Sequence, residues 1–394
     1  MRVLPEKKHS RTRQLAILHE FELLQNGLVG FCGRNGATPL FIAKRPESSQ
    51  FSTINIGHKT VGDGQPCFVV AEIGSNHNQD FDLARRTIDG AAKAGADAVK
   101  FQTFRADKHY SKHTPGFSYL QNVDTHALIK SLELDRSWQP SLKQHSEAQG
   151  LVFFSSPCDD DAIVGLRALD TAAYKVASFD LPDTDLIAKM ADAGKPMILS
   201  TGMAEWSEIQ HAVQTCRQAG NDEIILLQCT SLYPAPAHLT NLRAMASLRA
   251  AFRTLVGYSD HTIGDHISLA AAALGACLIE KHFTLDRTLP GPDHGFAMEP
   301  AELREMMRKL RETESAMGDG AKEGPRPEEQ EMATKGRRSL HTTRAIKRGE
   351  TITSDMLTIK RPNLGIPPAL RSQVLGRVAR VDIAADHWIT WDMI

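Results

Sequence analysis

Two histidines of this chain follow short apolar runs and could share one metal ion. His261 and His282 lie at the ends of successive runs. Two imidazoles that leave positions open for substrate and water suit Mn²⁺, Fe²⁺ or Zn²⁺ as a Lewis acid. We predict a divalent metal site at this pair, the alternative being histidines that hydrogen-bond or catalyse singly. His77 and His126 have no matching partner and are predicted to be surface or supporting residues.

Two lysines, Lys100 and Lys175, stand inside otherwise apolar runs. A buried ammonium is costly unless an anion or a carboxylate meets it. One interpretation is a pair of Lys–Glu bridges, with Glu72 as one partner. The other is that the lysines neutralise a phosphate and a carboxylate of a ligand, helped by neighbouring hydroxyls. A desolvated lysine also begins Schiff-base aldolase chemistry, so that reaction stays open.

Polar residues follow eight successive apolar runs. In a barrel of parallel strands, reacting groups collect at the carboxyl ends of the strands. These ends would therefore form one active-site mouth. The candidate positions, in chain order, are Glu72, Lys100 with Gln102, Ser156, Lys175 with Ser178, the segment 200–202, Ser231 with Tyr233, Ser259 with His261, and His282.

Short β-branched runs alternate with segments of helical periodicity, which predicts a parallel sheet of β-α units. Eight such units favour a closed (β/α)₈ TIM barrel; the rival open sheet would need a phosphate-binding glycine turn after its first strand, which is absent. Asp183 and Ser207 are predicted helix N-caps. The predicted strands are 68–73, 98–101, 151–155, 173–177, 196–200, 224–228, 255–257 and 277–281, and the predicted helices include 82–94, 183–193, 207–219, 266–274 and 302–317.

The chain divides into four predicted segments. Residues 1–53 show no sustained hydrophobic period. They are predicted to be an N-terminal extension, which could be disordered. The barrel would span 54–317, and a Gly/Pro-rich, charged linker would span 318–335. Residues 336–394 would form a small β-rich domain that needs docking on the barrel or on a partner subunit.

Composition excludes several classes of partner. The 394 residues carry 46 Lys+Arg and 47 Asp+Glu, a net charge of −1, which argues against nucleic acid or an anionic membrane as the main partner. The six cysteines are scattered, as expected of reduced thiols in the cytoplasm. No apolar run is long enough for a membrane span, and a secretory signal is not expected.

Read in order, the strand ends resemble the sialic acid (nonulosonic acid) synthase family. The C-terminal segment, entered through RRSL (337–340), resembles the antifreeze-like SAF domain. Only the N-terminal extension falls outside the resemblance. The matching stretches are AEIGSNHN (71–78), VKFQTF (99–104), YKVASF (174–179), LQCTSLYP (227–234), YSDHT (258–262), EKHFT (280–284) and GPDH (291–294).

The resemblance implies a condensation of phosphoenolpyruvate (PEP) with an N-acetylated hexose, with Glu72, Lys100, Lys175 and His261 as catalytic residues. His261 and His282 would bind the metal, Mn²⁺ in the first instance, with Mg²⁺, Co²⁺ or Fe²⁺ as alternatives. In the family the SAF domain covers the barrel of the other subunit, which implies a domain-swapped homodimer. The implied substrate-binding residues are Gln102, Ser156, Ser178, Ser231, Tyr233, Ser259, Asp293 and, from the lid, Arg338.

Departures from the family pattern leave the sugar open. Ser231 stands where the neuraminate branch has Asn, and Asp180 where it has Glu. Some stretches resemble the pseudaminate branch and others the neuraminate and legionaminate branches. A pseudaminate or a legionaminate synthase is therefore an alternative. Three other functions also stay open: a Schiff-base aldolase, a metallohydrolase, which usually needs an H-x-H on the first strand that this chain lacks, and a non-catalytic binder that works through the SAF domain.

Overall fold

The computed structural model describes residues 28–31, 40–43, 52–117 and 123–394. Most of the predicted extension 1–53 lies outside these residues. Two short hairpins precede the main sheet, β1 (Leu28–Phe31) with β2 (Leu40–Ala43) and β3 (Thr53–Ile56) with β4 (Lys59–Gly62). No helix in the described part of the chain combines the length and the apolar character that crossing a membrane requires.

Eight parallel strands form a closed barrel in which each strand pairs with the next and the last pairs with the first. The predicted TIM barrel is therefore confirmed, and the open doubly wound sheet is excluded. The strands are β5 (Phe68–Gly74), β6 (Ala98–Thr103), β7 (Val152–Pro157), β8 (Tyr174–Val176), β9 (Met197–Ser200), β10 (Ile224–Cys229), β11 (Leu255–Asp260) and β12 (Leu278–His282).

Helices connect the strands. They are α1 (Phe81–Ala94), α2 (Ala106–His109), α3 (Thr125–Lys130), α4 (Gln139–Ala148), α5 (Asp160–Ala168), α6 (Thr184–Ala191), α7 (Trp206–Gln218), α8 (Ala244–Phe252), α9 (His266–Ala273) and α10 (Pro300–Met317). The Asp183 carboxylate accepts a hydrogen bond from Leu186 N–H, as an N-cap does. The Ser207 prediction was wrong: α7 begins one residue earlier, and its cap residue Glu205 donates its N–H to the Glu208 carboxylate.

The barrel has two apolar cores because alternate strand residues point to opposite faces. The outer core lies between strands and helices and includes Val99, Phe101 and Ile279. The inner core fills the amino-terminal half of the barrel and joins Val70, Phe154 and Leu278 to the β3–β4 hairpin. With this half packed by apolar side chains, the polar chemistry is confined to the carboxyl-terminal half.

The C-terminal unit comprises Gly320–Ile394, and the first unit ends at Asp319. Its strands β13 (Ser339–Thr342) and β14 (Leu357–Lys360) pair antiparallel, and a separate core includes Leu340, Ile352 and Ile389. A helix, α11 (Gln330–Gly336), occupies the end of the segment predicted as a linker, and α12 (Arg371–Val374) follows β14. The small β-rich domain is thus present, whereas the preceding segment has more helix than its Gly/Pro content predicted.

Candidate active site

The barrel interior carries the predicted lysines beside two glutamates. Lys100 Nζ lies 2.9 Å from Glu72 Oε2 and 3.6 Å from Glu280 Oε1. Lys175 Nζ lies 3.9 Å from the same Glu280 oxygen. All four side chains are at least nine-tenths buried. Since Glu280 contacts both ammonium groups, it is the carboxylate that joins β6, β8 and β12 across the barrel.

Hydroxyl and amide groups complete this cluster. Lys100 donates to Ser156 Oγ at 3.2 Å, and Gln102 Nε2 donates to Glu72 Oε1 at 2.8 Å. Lys175 donates to Ser200 Oγ at 2.7 Å and to the carbonyl of Val176. The predicted residues Lys100, Gln102, Ser156 and Lys175 are therefore brought together. Ser259 also belongs here, because its hydroxyl donates to Glu280 Oε1 at 3.5 Å.

The two lysines have different electrostatic environments. Burial disfavours the charged form of Lys100, but Glu280 and Glu72 outweigh it and raise its pKa. Burial dominates at Lys175 and lowers its pKa, since the Glu280 carboxylate is more distant there. Burial also raises the pKa of Glu72 to about 7, against the opposing attraction of Lys100. A carboxyl with that pKa can both take and give a proton near neutrality.

A small cradle of hydroxyl groups lies next to Lys175. Ser178 Oγ accepts a hydrogen bond from Gly202 N–H at 3.0 Å. Ser231 Oγ is buried and has no hydrogen-bond partner among the described residues. A side chain at Gly202 would collide with the Ser231 hydroxyl and lie 2.8 Å from that of Ser178, so glycine permits their approach. Because a buried unpaired hydroxyl is costly, this cradle is suited to an anionic ligand that would accept from it.

The predicted metal ligands converge at the same end of the barrel. The rings of His261 and His282 have centroids 5.4 Å apart. His261 Nδ1 donates to the carbonyl of Thr230 at 2.8 Å, so in the neutral ring Nε2 has a free lone pair, as in metal-bound histidines held by a carbonyl. Burial, then the charge of His261, lowers the pKa of His282 well below its usual range, and its Nδ1 is buried without a hydrogen-bond partner among the described residues. Burial lowers the pKa of His261, but the neighbouring Cys229 outweighs burial and raises it. Two adjacent imidazoles, one of them held neutral, fit a divalent ion that would displace the proton of the other.

Tyr233 and Asp293 lie beside the imidazole pair. The Tyr233 ring packs 4.3 Å from the His261 ring, centroid to centroid. Asp293 Oδ2 is 3.7 Å from His282 Nδ1, and burial raises the pKa of Asp293 to about 6. Both residues line a cavity with Gln102, Ser156 and His282. Arg338 belongs to the C-terminal unit and remains a prediction.

A second group of metal-type ligands, not foreseen from the sequence, lines the same cavity. The ligating atoms of His109, Cys158 and Asp180 all lie within 4.8 Å of one another. Imidazole, thiolate and carboxylate together would suit a softer ion such as Zn²⁺. These residues come from α2, from the residue after β7 and from the turn after β8. The sequence does not predict the group because its members are distant from one another in the chain.

Two further residues correct the sequence interpretation. Of the two positions predicted for His77, surface or supporting, the surface one is wrong: His77 is completely buried, with its ring near those of Phe101 and Trp138. Glu280, which the sequence analysis names only within the stretch EKHFT, contacts both lysines. The available signal was spacing, because Glu280 stands two residues before His282 on one strand and must share its inward face.

Comparison with known proteins shows the same two-part organisation. Residues 87–322 match the NeuB family, and residues 337–394 match the SAF domain. The chain is 40% identical over 328 residues to the N,N'-diacetyllegionaminic acid synthase of Campylobacter jejuni, covering 82% of this chain and 98% of that protein. It is 34% identical over 347 residues to the human N-acetylneuraminate-9-phosphate synthase, covering 85% and 94%.

A solved structure agrees in fold. N-acetylneuraminic acid synthetase from Leptospira borgpetersenii superposes with a TM-score of 0.65 at 35% identity, covering 71% of this chain and 95% of that one. The match to the NeuB family, residues 87–322, extends over most of the barrel. The chain belongs to the NeuB family of synthases and carries a C-terminal SAF domain.

Proposed function

We propose that this protein condenses PEP with an N-acetylated hexose of the N-acetylmannosamine type, forming a nonulosonic acid and phosphate. The observation that carries the proposal is the juxtaposition, within one barrel, of a buried Lys–Glu–Ser cluster and a pair of adjacent imidazoles. The first has the chemistry to hold a small dianion, and the second to hold a Lewis acid beside it. The relatives named above are synthases of such acids.

The anionic substrate would bind against the lysines. Lys175 and the Ser178–Ser231 cradle would hold one anionic group of PEP, while Lys100, with Ser156, would hold the other. The buried hydroxyl of Ser231 would then gain an acceptor. Binding would also require the Lys100–Glu72 and Lys175–Glu280 distances to change, because these carboxylates already partly neutralise the lysine ammonium groups.

The condensation would proceed in two bond-forming steps. The electron pair of the PEP double bond would form a bond from C3 to the aldehyde carbon, and the aldehyde oxygen would take up a proton. Water would add to the resulting cation at C2 and lose one proton. Phosphate would then leave with cleavage of its C–O bond as the new C2 hydroxyl loses its proton and becomes the ketone oxygen. Glu72, with its pKa of about 7, would orient that water or carry the protons.

A divalent ion held by His261 and His282 would supply polarisation of the aldehyde oxygen. Tyr233 and Asp293 would contact the sugar beside it, since both line the cavity next to His282. We also propose Mn²⁺ as the working ion, a cytoplasmic location, and a homodimer in which Arg338 of the SAF domain reaches the sugar of the other barrel.

The test is phosphate release from PEP with Mn²⁺ and a panel of sugars: N-acetylmannosamine and the precursors of legionaminate and pseudaminate. Release that depends on both the sugar and the ion supports the proposal, and with ¹⁸O in the bridging position the label should leave with phosphate. The proposal fails if no sugar elicits phosphate.

A Schiff-base aldolase is the second candidate, because Lys175 is buried with a lowered pKa. Borohydride in the presence of a carbonyl substrate would link that substrate covalently to Lys175 in an aldolase. A PEP-condensing enzyme should show no such adduct, and its phosphate release should be unaffected by the reagent.

A further inference from the structure

Three metal-type ligands stand in the wall of the cavity that contains His282 and Asp293. This group, here called the Cys158 cluster, consists of His109, Cys158 and Asp180, whose ligating atoms all lie within 4.8 Å of one another. The proposed condensation assigns none of the three a role. In the part of the chain that the structure describes, no other three His, Cys, Asp or Glu side chains converge so closely.

Neighbouring groups position the side chains of the cluster. The thiol of Cys158 donates a hydrogen bond to the Asp180 carboxylate, and His109 Nε2 lies 4.0 Å from Asp180 Oδ1. The His109 ring lies nearly parallel to the ring of Phe104 and packs edge-on against Tyr110, with centroid distances of 6.3 and 4.8 Å. Because these contacts already restrain the ring, little side-chain entropy remains to be lost when an ion binds.

The dimensions of the cluster approach those of a zinc site. Zinc binds Cys, His and Asp tetrahedrally at about 2.0–2.3 Å, which places the ligand atoms about 3.3–3.8 Å from one another. The distance of 4.0 Å between His109 Nε2 and Asp180 Oδ1 is only slightly greater. Small side-chain rotations would therefore close the cluster around the ion. Three protein ligands leave the fourth position to water on the side of the cavity.

The charges around the cavity also suit a divalent cation. A thiolate from Cys158 and a carboxylate from Asp180 would together neutralise Zn²⁺. Among the described residues that line the cavity there is no lysine and no arginine, so no fixed cation of the lining would repel the ion. The thiolate selects for zinc over manganese, because soft sulfur ligands favour Zn²⁺ and Mn²⁺ binds most weakly of the first-row divalent ions.

We infer that His109, Cys158 and Asp180 form a zinc site, and that zinc bound there inhibits the enzyme by excluding the sugar. The ion would displace the thiol proton of Cys158 to solvent and bridge the thiolate and the carboxylate that now share it. With its water, it would occupy the cavity that Tyr233 and Asp293 also line. The inhibition rests on the proposed function, whereas the binding of zinc does not.

The first test is inhibition by Zn²⁺ at saturating PEP and Mn²⁺, with the sugar varied. We expect KM for the sugar to rise with Zn²⁺ while kcat stays unchanged. Each variant is compared with its own turnover without Zn²⁺. Cys158→Ser should raise the Zn²⁺ concentration for half-inhibition by about 10- to 100-fold, as loss of a ligand's support does in other metal sites. Equal inhibition of the wild type and Cys158→Ser overturns the inference, because zinc would then act elsewhere, as by displacing Mn²⁺ from the imidazole pair.

A pair of histidine variants supplies a matched control. His109→Gln removes the imidazole of the cluster and should also relieve inhibition. His113→Gln changes an exposed histidine four residues further along the chain, outside the cavity lining, and should leave inhibition as in the wild type. Equal behaviour of these two variants contradicts a role for His109.

Binding is measured separately with Co²⁺ as the probe, because Co²⁺ bound to a thiolate absorbs in the near ultraviolet. The wild type should develop this band, and Cys158→Ser, which retains the other cysteines, should not. An equal band in the variant overturns the site whether or not the enzyme turns over. Absence of phosphate release with every sugar refutes the proposed function instead, and the band then tests the ion site on its own.

Discussion

The carboxylate of Asp260 and the ammonium of Lys281 meet at 2.9 Å between neighbouring strands, both almost completely buried. Lys281 also donates to the carbonyl of Thr262, and Asp260 accepts from Ser268 Oγ at 2.6 Å. The two residues are direct partners in the register of β11 and β12 and immediately precede His261 and His282. The ion pair therefore links the carboxyl ends of β11 and β12, which carry the two imidazoles.

Breaking this ion pair should destabilise the barrel. Lys281→Met leaves a buried carboxylate without its cation, and we expect a loss of about 3–5 kcal/mol in the free energy of unfolding. Adding Asp260→Asn removes the remaining charge and should restore most of the stability. Urea unfolding of both variants measures the effect; a double variant no more stable than Lys281→Met would contradict the ion-pair account.

Removal of an imidazole should separate the two candidate metal sites. His282→Ala should weaken Mn²⁺ binding at the imidazole pair and abolish metal-dependent turnover, with the fold retained by circular dichroism. Cys158→Ser should leave Mn²⁺ binding unchanged, because it alters the other cluster, and should weaken Zn²⁺ binding there. Isothermal titration of each variant with each ion is the measurement, and the reverse pattern would assign the working ion to the Cys158 cluster.

Gly202, which lies between the Ser178 and Ser231 hydroxyls, should be required for tight binding of PEP. Gly202→Ala would push Ser178 and Ser231 apart, and we expect KM for PEP to rise by about tenfold or more, since small displacements in a site are costly. Gly165→Ala is the matched control: it lies in α5, and a methyl group there meets nothing within 4 Å. Steady-state kinetics of the two variants is the measurement. Equal changes in KM for PEP in both variants would contradict the role of the cradle.

His77 should make stability dependent on pH. Burial lowers its pKa from 6.5 to about 4, so between these values the unfolded chain binds a proton that the folded protein does not. Its contribution is complete above pH 6.5 and is lost as the pH falls toward 4, by about 3 kcal/mol in all.

His77→Asn keeps a side-chain acceptor for the N–H of Gln79, which Nδ1 now accepts at 3.0 Å. The variant should lose less stability than the wild type between neutral and mildly acidic pH. Urea unfolding at several pH values is the measurement. Parallel pH dependence in the two proteins would show that His77 does not titrate as described.

Arg338→Ala should raise KM for the sugar more than KM for PEP, because the proposed lid contacts only the sugar. Kinetics with one substrate varied at a time are sufficient. Equal increases in both constants would count against the lid, and so would a protein that sediments as a monomer at full activity.

The barrel was predictable because its signals are local. Each apolar run is buried on both faces, so residues 68–73 or 224–228 identify a strand without knowledge of any partner. The predicted ends of the strands were less accurate. Strand β11 continues through Ser259 to Asp260, because these polar residues still pair with Glu280 and Lys281 of β12. The apolar run of a strand ends where the active-site residues begin, but the hydrogen bonds to the neighbouring strand continue past that point.

Local patterns in the amino-acid sequence specify the eight β-α units and the types of residue at their carboxyl ends, because strand propensity and continuous apolar runs are properties of neighbouring residues. Three features follow from the folded chain alone: Glu280 is shared by Lys100 and Lys175, His77 is buried, and residues of α3 line the cavity of His282. These contacts join residues far apart in the chain. They depend on the closure and register of the barrel and on the path of its loops, which no local pattern specifies.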